Sequence, residues 1–193
     1  MPFSRPSSST QTVRVLVVGD DAVGKSALVE SLVSGVFSEA PVHPTMFNSW
    51  THPMVVDTRP VTLSIWEPST RLPHDLTRKA YQGKDVVMFC HDVDRPDTLQ
   101  NVYEKWMPQV FDVLPDTPFA LVGCKNDEQA DKCSDLSTDS DGAKGKSVLP
   151  THIRAKNAHM ALSCSAKAAS SVRKVFEVVV RLNAQRHSRR RSA

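Results

Sequence analysis

The chain has no C-x-x-C pair, no apolar run approaching a membrane span, no internal repeat and no strong excess of charge. Each absence removes a class of function. The four cysteines, Cys90, Cys124, Cys133 and Cys164, have no histidine at metal-ligand spacing, so a zinc-ribbon or thiol-redox motif is excluded. Cys90, Cys124 and Cys164 each lie in or just after an apolar run, where a reduced thiol acts as a small hydrophobe. Reduced thiols are therefore expected, and with them a cytoplasmic location. A spanning helix needs about 20 apolar residues, and the sequence offers none. Met1 to Gln11 is rich in Ser and Pro and lacks the apolar centre of a signal peptide; residues 1–11 read as a disordered tail. The net charge of +3 owes much to Arg186-His187-Ser188-Arg189-Arg190-Arg191. The body is close to neutral, which gives no argument for a nucleic-acid partner.

What the sequence does carry is one phosphate-binding pattern. Gly19-Asp20-Asp21-Ala22-Val23-Gly24-Lys25-Ser26 follows the apolar run Val13–Val18 and opens into the helix-compatible segment 27–34. Strand, glycine-bounded loop and helix start with Lys-Ser form the arrangement G-x-x-x-x-G-K-[ST]. Gly19 and Gly24 let the backbone turn and bring N–H groups onto phosphate oxygens. The helix N-terminus adds a positive dipole end. Lys25 reaches the β- and γ-phosphates, and the Ser26 hydroxyl is a hard oxygen ligand for Mg²⁺. Gly19, Asp21, Ala22, Val23, Gly24, Lys25, Ser26 and Ala27 are thus the expected phosphate-end contacts of a nucleoside phosphate.

Apolar runs alternate with helical periodicity along the rest of the chain. Val13–Val18, Val61–Trp66, Val86–Cys90, Phe119–Gly123 and Met160–Ser163 read as strands, and Met54–Asp57 as a weaker one pairing across Thr58-Arg59-Pro60. Helices are predicted over Lys25–Ser34, Asp75–Tyr81, Asp97–Val110 (with Asp97 as N-cap) and Ser170–Asn183. This alternation predicts an α/β fold, a mostly parallel sheet with helices on both faces. Asp127 to Thr151 is polar and reads as a surface insertion.

Two later strand ends point to the base. Phe119–Gly123 runs into Cys124-Lys125-Asn126-Asp127, and Met160–Ser163 into Cys164-Ser165-Ala166-Lys167. A carboxylate at Asp127 can accept two parallel N–H bonds from the N1 and N2 edge of guanine, an edge adenine does not present. The Lys125 stem can lie along the purine face, and the Ala166 N–H can reach guanine O6. Lys-x-Asp is a weak signal alone; after a strand, with Ser-Ala-Lys after the next and a phosphate loop upstream, it is specific.

With these motifs in place, the chain resembles the Ras-like small GTPases, and the Rho family in particular. Phe37-Ser38-Glu39 followed by Pro44-Thr45-Met46-Phe47 resembles the Rho switch I; Ile65-Trp66 resembles the strand into switch II; Lys105–Val110 and Thr117–Gly123 resemble further Rho segments. The resemblance covers about Val13 to Leu182. It implies a six-stranded small G-domain over residues 12–184, with its polar insertion at about 128–150 and a basic tail at 185–193. It also implies GTP or GDP with Mg²⁺: Ser26 and Thr45 as metal ligands, Glu67 through water, Phe37 packing on guanine, Thr70 at the γ-phosphate, and Cys124, Lys125, Asp127, Ser165, Ala166 and Lys167 around the base. Effector proteins at switch I (Thr45, Phe47, Trp50), exchange factors, a monomeric state and a role in actin organisation and signalling are implied in the same way.

Switch II departs from the family. Where the family reads Asp-Thr-Ala-Gly-Gln, this chain reads Glu67-Pro68-Ser69-Thr70-Arg71. Glu67 keeps a carboxylate, one methylene longer. Thr70 replaces the glycine whose N–H meets the γ-phosphate, and its branched Cβ restricts the backbone. Arg71 replaces the glutamine that orients the attacking water, and a guanidinium has only donors. Asp21 is a further departure, a carboxylate at a loop position that is glycine in the family. Switch I carries one extra residue between Phe37 and Thr45. Phosphoryl transfer depends on positioning and electrostatics, so the expectation is a site that holds GTP better than it breaks it. A competent cycling GTPase and a nucleotide-free scaffold are the alternatives, and Arg71 as a stabiliser of transition-state charge is a further one. The chain ends Arg191-Ser192-Ala193, without the family's C-terminal cysteine, and Pro2 excludes myristoylation. Only weak membrane contact through the basic tail is expected, at about 1 kcal/mol per charge.

Overall fold

The structure, a computed structural model, describes residues 10–39, 46–127 and 159–191. The predicted tail up to Ser9, Thr45 of switch I, Cys133 and the 128–150 insertion lie outside the described residues. Six strands form one sheet: β1 (Gln11–Val18), β2 (Phe47–Val56), β3 (Arg59–Pro68), β4 (Val86–Asp92), β5 (Phe119–Cys124) and β6 (His159–Ser163). Their order is β2-β3-β1-β4-β5-β6. Only the β2–β3 pair is antiparallel, so the sheet is the mostly parallel α/β sheet predicted.

Strands buried on both faces read as continuous apolar runs, and β1 shows why. Val13, Val15 and Val17 join Leu28 and Val29 of α1 (Lys25–Ser34) and Val172, Phe176 and Val179 of the C-terminal helix in one core. Leu16 and Val18 point the other way, into a second core with Tyr81, Phe89, Trp106, Met107 and Val110. The period of two along a strand thus divides one sequence run between two helical layers. Phe89, Phe111 and Phe119 brace the second core edge to face, with ring centroids 5.6–5.8 Å apart.

Five local predictions are corrected. The β2 strand begins at Phe47 rather than Met54, because pairing with β3 runs unbroken from Phe47–Pro68 to Val56–Arg59. The turn between them is Asp57-Thr58, with φ of 48° and 66°, the left-handed pair that a tight hairpin requires; Arg59 and Pro60 already belong to β3. The helix predicted over Asp97–Val110 is α3 (Pro96–Asn101), a π-helical turn (Val102–Trp106) and α4 (Met107–Val113). Arg95, not Asp97, is its N-cap residue, since Pro96 takes the first turn, where its missing N–H has no partner to lose. The last helix, α5 (Ala169–Arg191), runs on past Asn183. Arg181 pairs with Asp57 of the hairpin at 2.9 Å, and Arg186 donates to the Asp85 carbonyl at 3.3 Å, tying its later turns to the sheet. Among the described residues the remaining helix, α2 (His74–Tyr81), follows β3.

Candidate functional site

Ligands of open α/β sheets bind beyond the carboxyl ends of strands, where neighbouring connections leave in opposite directions. Here that point lies beyond β1 and β4. The loop after β1 supplies the first wall. Gly19 has φ 151°, and a Cβ built there would stand 2.2 Å from the Cys90 carbonyl oxygen; only glycine fits. Ala22 and Gly24 also have positive φ, 59° and 103°. Gly24 caps α1 in the left-handed region with no side-chain bond to the helix N–H groups. Those donors are therefore available to an anion.

Lys25 and Ser26 start the helix as predicted. The Lys25 ammonium is buried and donates back to the Gly19 and Asp20 carbonyls at 3.1 and 2.6 Å. The Ser26 hydroxyl lies 2.9 and 2.8 Å from the two carboxylate oxygens of Glu67, to which it donates. Glu67 is itself buried. Its Oε1 lies 3.9 Å from the Lys25 ammonium, and Asn48 donates to Oε2 at 3.5 Å. Burial raises the Glu67 carboxyl above its ordinary value, against the opposing pull of Lys25, Ser26 and Asn48. A hydroxyl and a buried carboxylate converging in this way are hard oxygen donors, the set that suits Mg²⁺.

These groups share a cavity of about 560 Å³ with Asp21, Ala22, Ala27, Phe37, Thr70, Arg71 and Lys125. The structure thus brings the predicted phosphate loop, the Phe37 segment and switch II to one place. Thr70 Oγ1 donates to Asp21 Oδ1 at 2.7 Å, so two departures from the Rho pattern are partners of one another. Arg71 is exposed; its backbone N–H donates to Ser69 Oγ at 3.2 Å.

The residues expected around the base meet at the ends of β5 and β6. Asp127 accepts from Ser165 Oγ at 2.7 Å and from the Lys167 ammonium at 2.6 Å. Those two bonds, the Lys167 one first, hold its carboxyl below the usual range. Lys167 also stands 5.9 Å above the Phe37 ring, linking the corner to the residue expected to pack on the base. Asn126 N–H donates to the Cys164 carbonyl at 3.1 Å, and Ser31 Oγ to the Ala166 carbonyl at 2.7 Å. Val23 is fully buried and Cys124 nearly so, beneath the loop. A Cβ on Gly24 would come within 3.3 Å of the Cys124 Cβ. Cys124 therefore faces the underside of the phosphate loop.

Sequence reasoning missed three supports. Asp92 reads as a polar loop start, yet it is buried and accepts from Lys125 at 2.8 Å and from Arg95 at 3.0 Å. Burial pushes its carboxyl up, but Lys125, the Asp94 N–H and Arg95 together bring it below the usual range. It fixes Lys125, whose φ is 64°. Arg95 also donates to the Asp21 carbonyl at 3.3 Å. Finally, the Asp20 carboxylate accepts from Trp106 Nε1 at 2.8 Å and from Asn101 Nδ2 at 2.7 Å. The π-turn places that indole N–H, an irregularity often found at functional sites, and no sequence period reveals it.

Against this geometry, the sequence comparisons are direct. The family model described as "Ras family" matches residues 14–185. The chain is 34% identical over 178 residues to the Rho-related GTP-binding protein RhoB of Homo sapiens, covering 90% of this chain and 89% of that one. The Mus musculus RhoB matches equally. The GTP-binding protein RHO1 of Candida albicans is 34% identical over 171 residues, covering 87% and 86%. Fold, cavity and sequence agree that this chain belongs to the Ras family as a Rho-like small GTPase.

Proposed function

We propose that this chain binds guanine nucleotides with Mg²⁺ and acts as a signalling switch whose hydrolysis of GTP is strongly impaired. One observation carries the reading: a single cavity joins the binding residues Lys25, Ser26 and Glu67 to the altered residues Asp21, Thr70 and Arg71. Lys25 and the free N–H groups of α1 take the phosphates; Asp127 takes the guanine edge, with Ala166 N–H at O6. Ser26 directly, and Glu67 through water, would hold the Mg²⁺, which would supply charge neutralisation at the phosphate oxygens; Thr45 is their expected companion. No glutamine stands in the Arg71 position to orient water, and Arg71 offers only donors. Catalysis here is positioning and electrostatics, so the loss amounts to several orders of magnitude in rate.

The output surface is β2 with the segment before it. Phe47 is exposed, packs its ring 6.1 Å from Trp66, and neighbours exposed Met46, which gives effectors an aromatic edge; Trp50, three residues on, lies on the opposite face of β2, half-buried against the first core. Exchange factors, a monomeric state and a part in actin organisation belong to the same proposal, supported by the likeness to Rho proteins. Among the described residues no helix is long and apolar enough to cross a membrane. The basic end of α5 gives weak contact with anionic lipid at the inner face of the plasma membrane.

The test is to identify the nucleotide retained on purification and to follow loss of its γ-phosphate in a single turnover. Guanine nucleotide with phosphate release over many hours is expected, and Asp21→Gly/Thr70→Gly/Arg71→Gln should accelerate release by at least about a hundredfold. Release by the unaltered chain at the rate of the triple variant would overturn the impairment. A preparation that binds no guanine nucleotide would overturn the reading of the site.

A further inference from the structure

We propose that Asp21 and Thr70 form a selectivity gate against a third phosphate, so that the site prefers a nucleoside diphosphate to a triphosphate. The inference rests on the nucleotide reading above and is independent of its hydrolysis half. The starting point is the 2.7 Å bond from Thr70 Oγ1 to Asp21 Oδ1. It bridges the phosphate loop to the segment after β3, and both residues line the 560 Å³ cavity.

Each end of the bond is fixed from behind. On the loop side, Arg95 donates to the Asp21 carbonyl, and the Asp20 carboxylate next to it accepts from Trp106 and Asn101. On the other side, Ser69 N–H donates to the Met46 carbonyl at 2.9 Å, and Leu72 N–H to the Ser69 carbonyl at 3.1 Å. Two side chains on separately anchored segments meet with donor facing acceptor. Opening the contact therefore breaks a bond between two side chains whose backbones are held in place.

The cavity gives the gate its target. The base corner is Asp127, with Lys167 over Phe37, and the helix N-terminus at Gly24–Ser26 receives the phosphate chain, with Lys25 at its β- and γ-groups. A longer phosphate chain continues toward Glu67, Thr70 and Arg71, the wall that Asp21 closes. A third phosphate brings further negative charge against the Asp21 carboxylate and competes for the Thr70 hydroxyl. A diphosphate stops short of both. The closed pair thus discriminates by charge and by a bond that must break, the repulsive device that selectivity commonly needs.

The experiment measures the affinities of the full chain for fluorescent guanosine diphosphate and for a non-hydrolysable guanosine triphosphate analogue, both with Mg²⁺. The unaltered chain should favour the diphosphate by about tenfold or more. Asp21→Gly removes charge and bond together and should bring the ratio to near unity. Asp21→Asn keeps an acceptor for Thr70 but no charge, and Thr70→Val keeps volume but no donor; each should give an intermediate ratio. Equal affinities in the unaltered chain, or a ratio that Asp21→Gly leaves unchanged, would overturn the gate. Failure to bind either nucleotide overturns the site assignment as well, and so separates the two. Amide exchange in the unaltered chain provides a readout free of variant folding. Residues 69–72 should stay protected with the diphosphate and exchange faster with the triphosphate analogue; added protection by the analogue would refute the proposal.

Discussion

The two ends of the site treat their charged groups differently. At the base corner the Asp127 carboxylate is exposed and held by Lys167 and Ser165. It is oriented by its own chain and still accessible to two more donors. At the phosphate end the charged groups are turned on one another: Lys25 on two carbonyls, Ser26 on Glu67, Thr70 on Asp21. On the proposed reading the base corner is ready for its ligand, whereas the phosphate end must exchange internal bonds for external ones. Internal satisfaction keeps buried polar groups from destabilising the fold, and it also sets what a ligand must displace.

The largest expected effect tests the ready end. Asp127→Ala removes the acceptor proposed for two guanine N–H groups and leaves Lys167 without its carboxylate partner. Charge-assisted bonds contribute about 1.5–3 kcal/mol each, so guanosine diphosphate affinity should fall by at least a hundredfold. Adenosine diphosphate affinity should hardly change. Equal losses for both nucleotides would show that the corner supports the fold rather than reading the base.

Next comes the loop's geometry. In Gly19→Ala the new Cβ meets the Cys90 carbonyl, a backbone atom that cannot swing aside, at a φ that L residues rarely adopt. Denaturant titration should show a loss of about 2–3 kcal/mol. Gly35, with φ 76° and nothing within 4 Å of a built Cβ, is the control, where the loss should be about 1 kcal/mol. Losses of equal size would mean that crowding by β4 adds nothing.

These two residues also show what was legible from sequence. Glycines, Lys-Ser and Lys-x-Asp announce themselves because backbone freedom and ligand chemistry admit few residue types at fixed spacing. The sheet was legible for a related reason, since a strand buried on both faces must be an apolar run. Contacts that join distant segments leave no such trace. Asp21 and Thr70 read as two separate departures, and only the fold shows them bonded. Trp106 reads as a core or interface residue because its apolar body dominates; its N–H on Asp20 depends on a π-turn that breaks the helical period. The early start of β2 was hidden by its polar and Pro-containing sequence, Asn48 to Pro53. Pairing with β3 determines that strand more than its own propensity does.

Trp106 provides a smaller effect. Trp106→Phe keeps an aromatic body in the second core and deletes the N–H on Asp20. Dissociation of guanosine diphosphate should quicken about tenfold, in line with a charge-assisted bond of about 1.5 kcal/mol. In Asp20→Asn/Trp106→Phe the second change should add much less than it does alone. Full additivity would mean that the indole acts by packing and not through the loop.

The smallest effect is the most telling about the closed end, because its sign separates two causes. Glu67 is buried beside Lys25, so burial and ion pairing oppose each other. Its carboxyl is raised above the ordinary 4.5 in the folded chain, burial being the largest cause. A raised acid binds its proton more tightly folded than unfolded. Its favourable contribution is therefore present below 4.5 and is lost as pH rises through the folded value. Glu67→Gln, which cannot ionise, escapes that loss. In urea titrations without nucleotide or metal, the variant should match the unaltered chain at pH 4 and exceed it at pH 7. The margin should be under about 1 kcal/mol, because Lys25 and Ser26 return part of the burial cost. The same variant should bind guanosine diphosphate with much less dependence on Mg²⁺, since its amide is a poorer hard-oxygen donor than a carboxylate. A variant less stable than the unaltered chain at pH 7 would show that the Lys25 pair outweighs burial. The closed end would then be held by attraction, and a ligand would have to overcome it; the expected sign means instead that the carboxylate is retained at a cost to the fold, consistent with the metal role proposed for it.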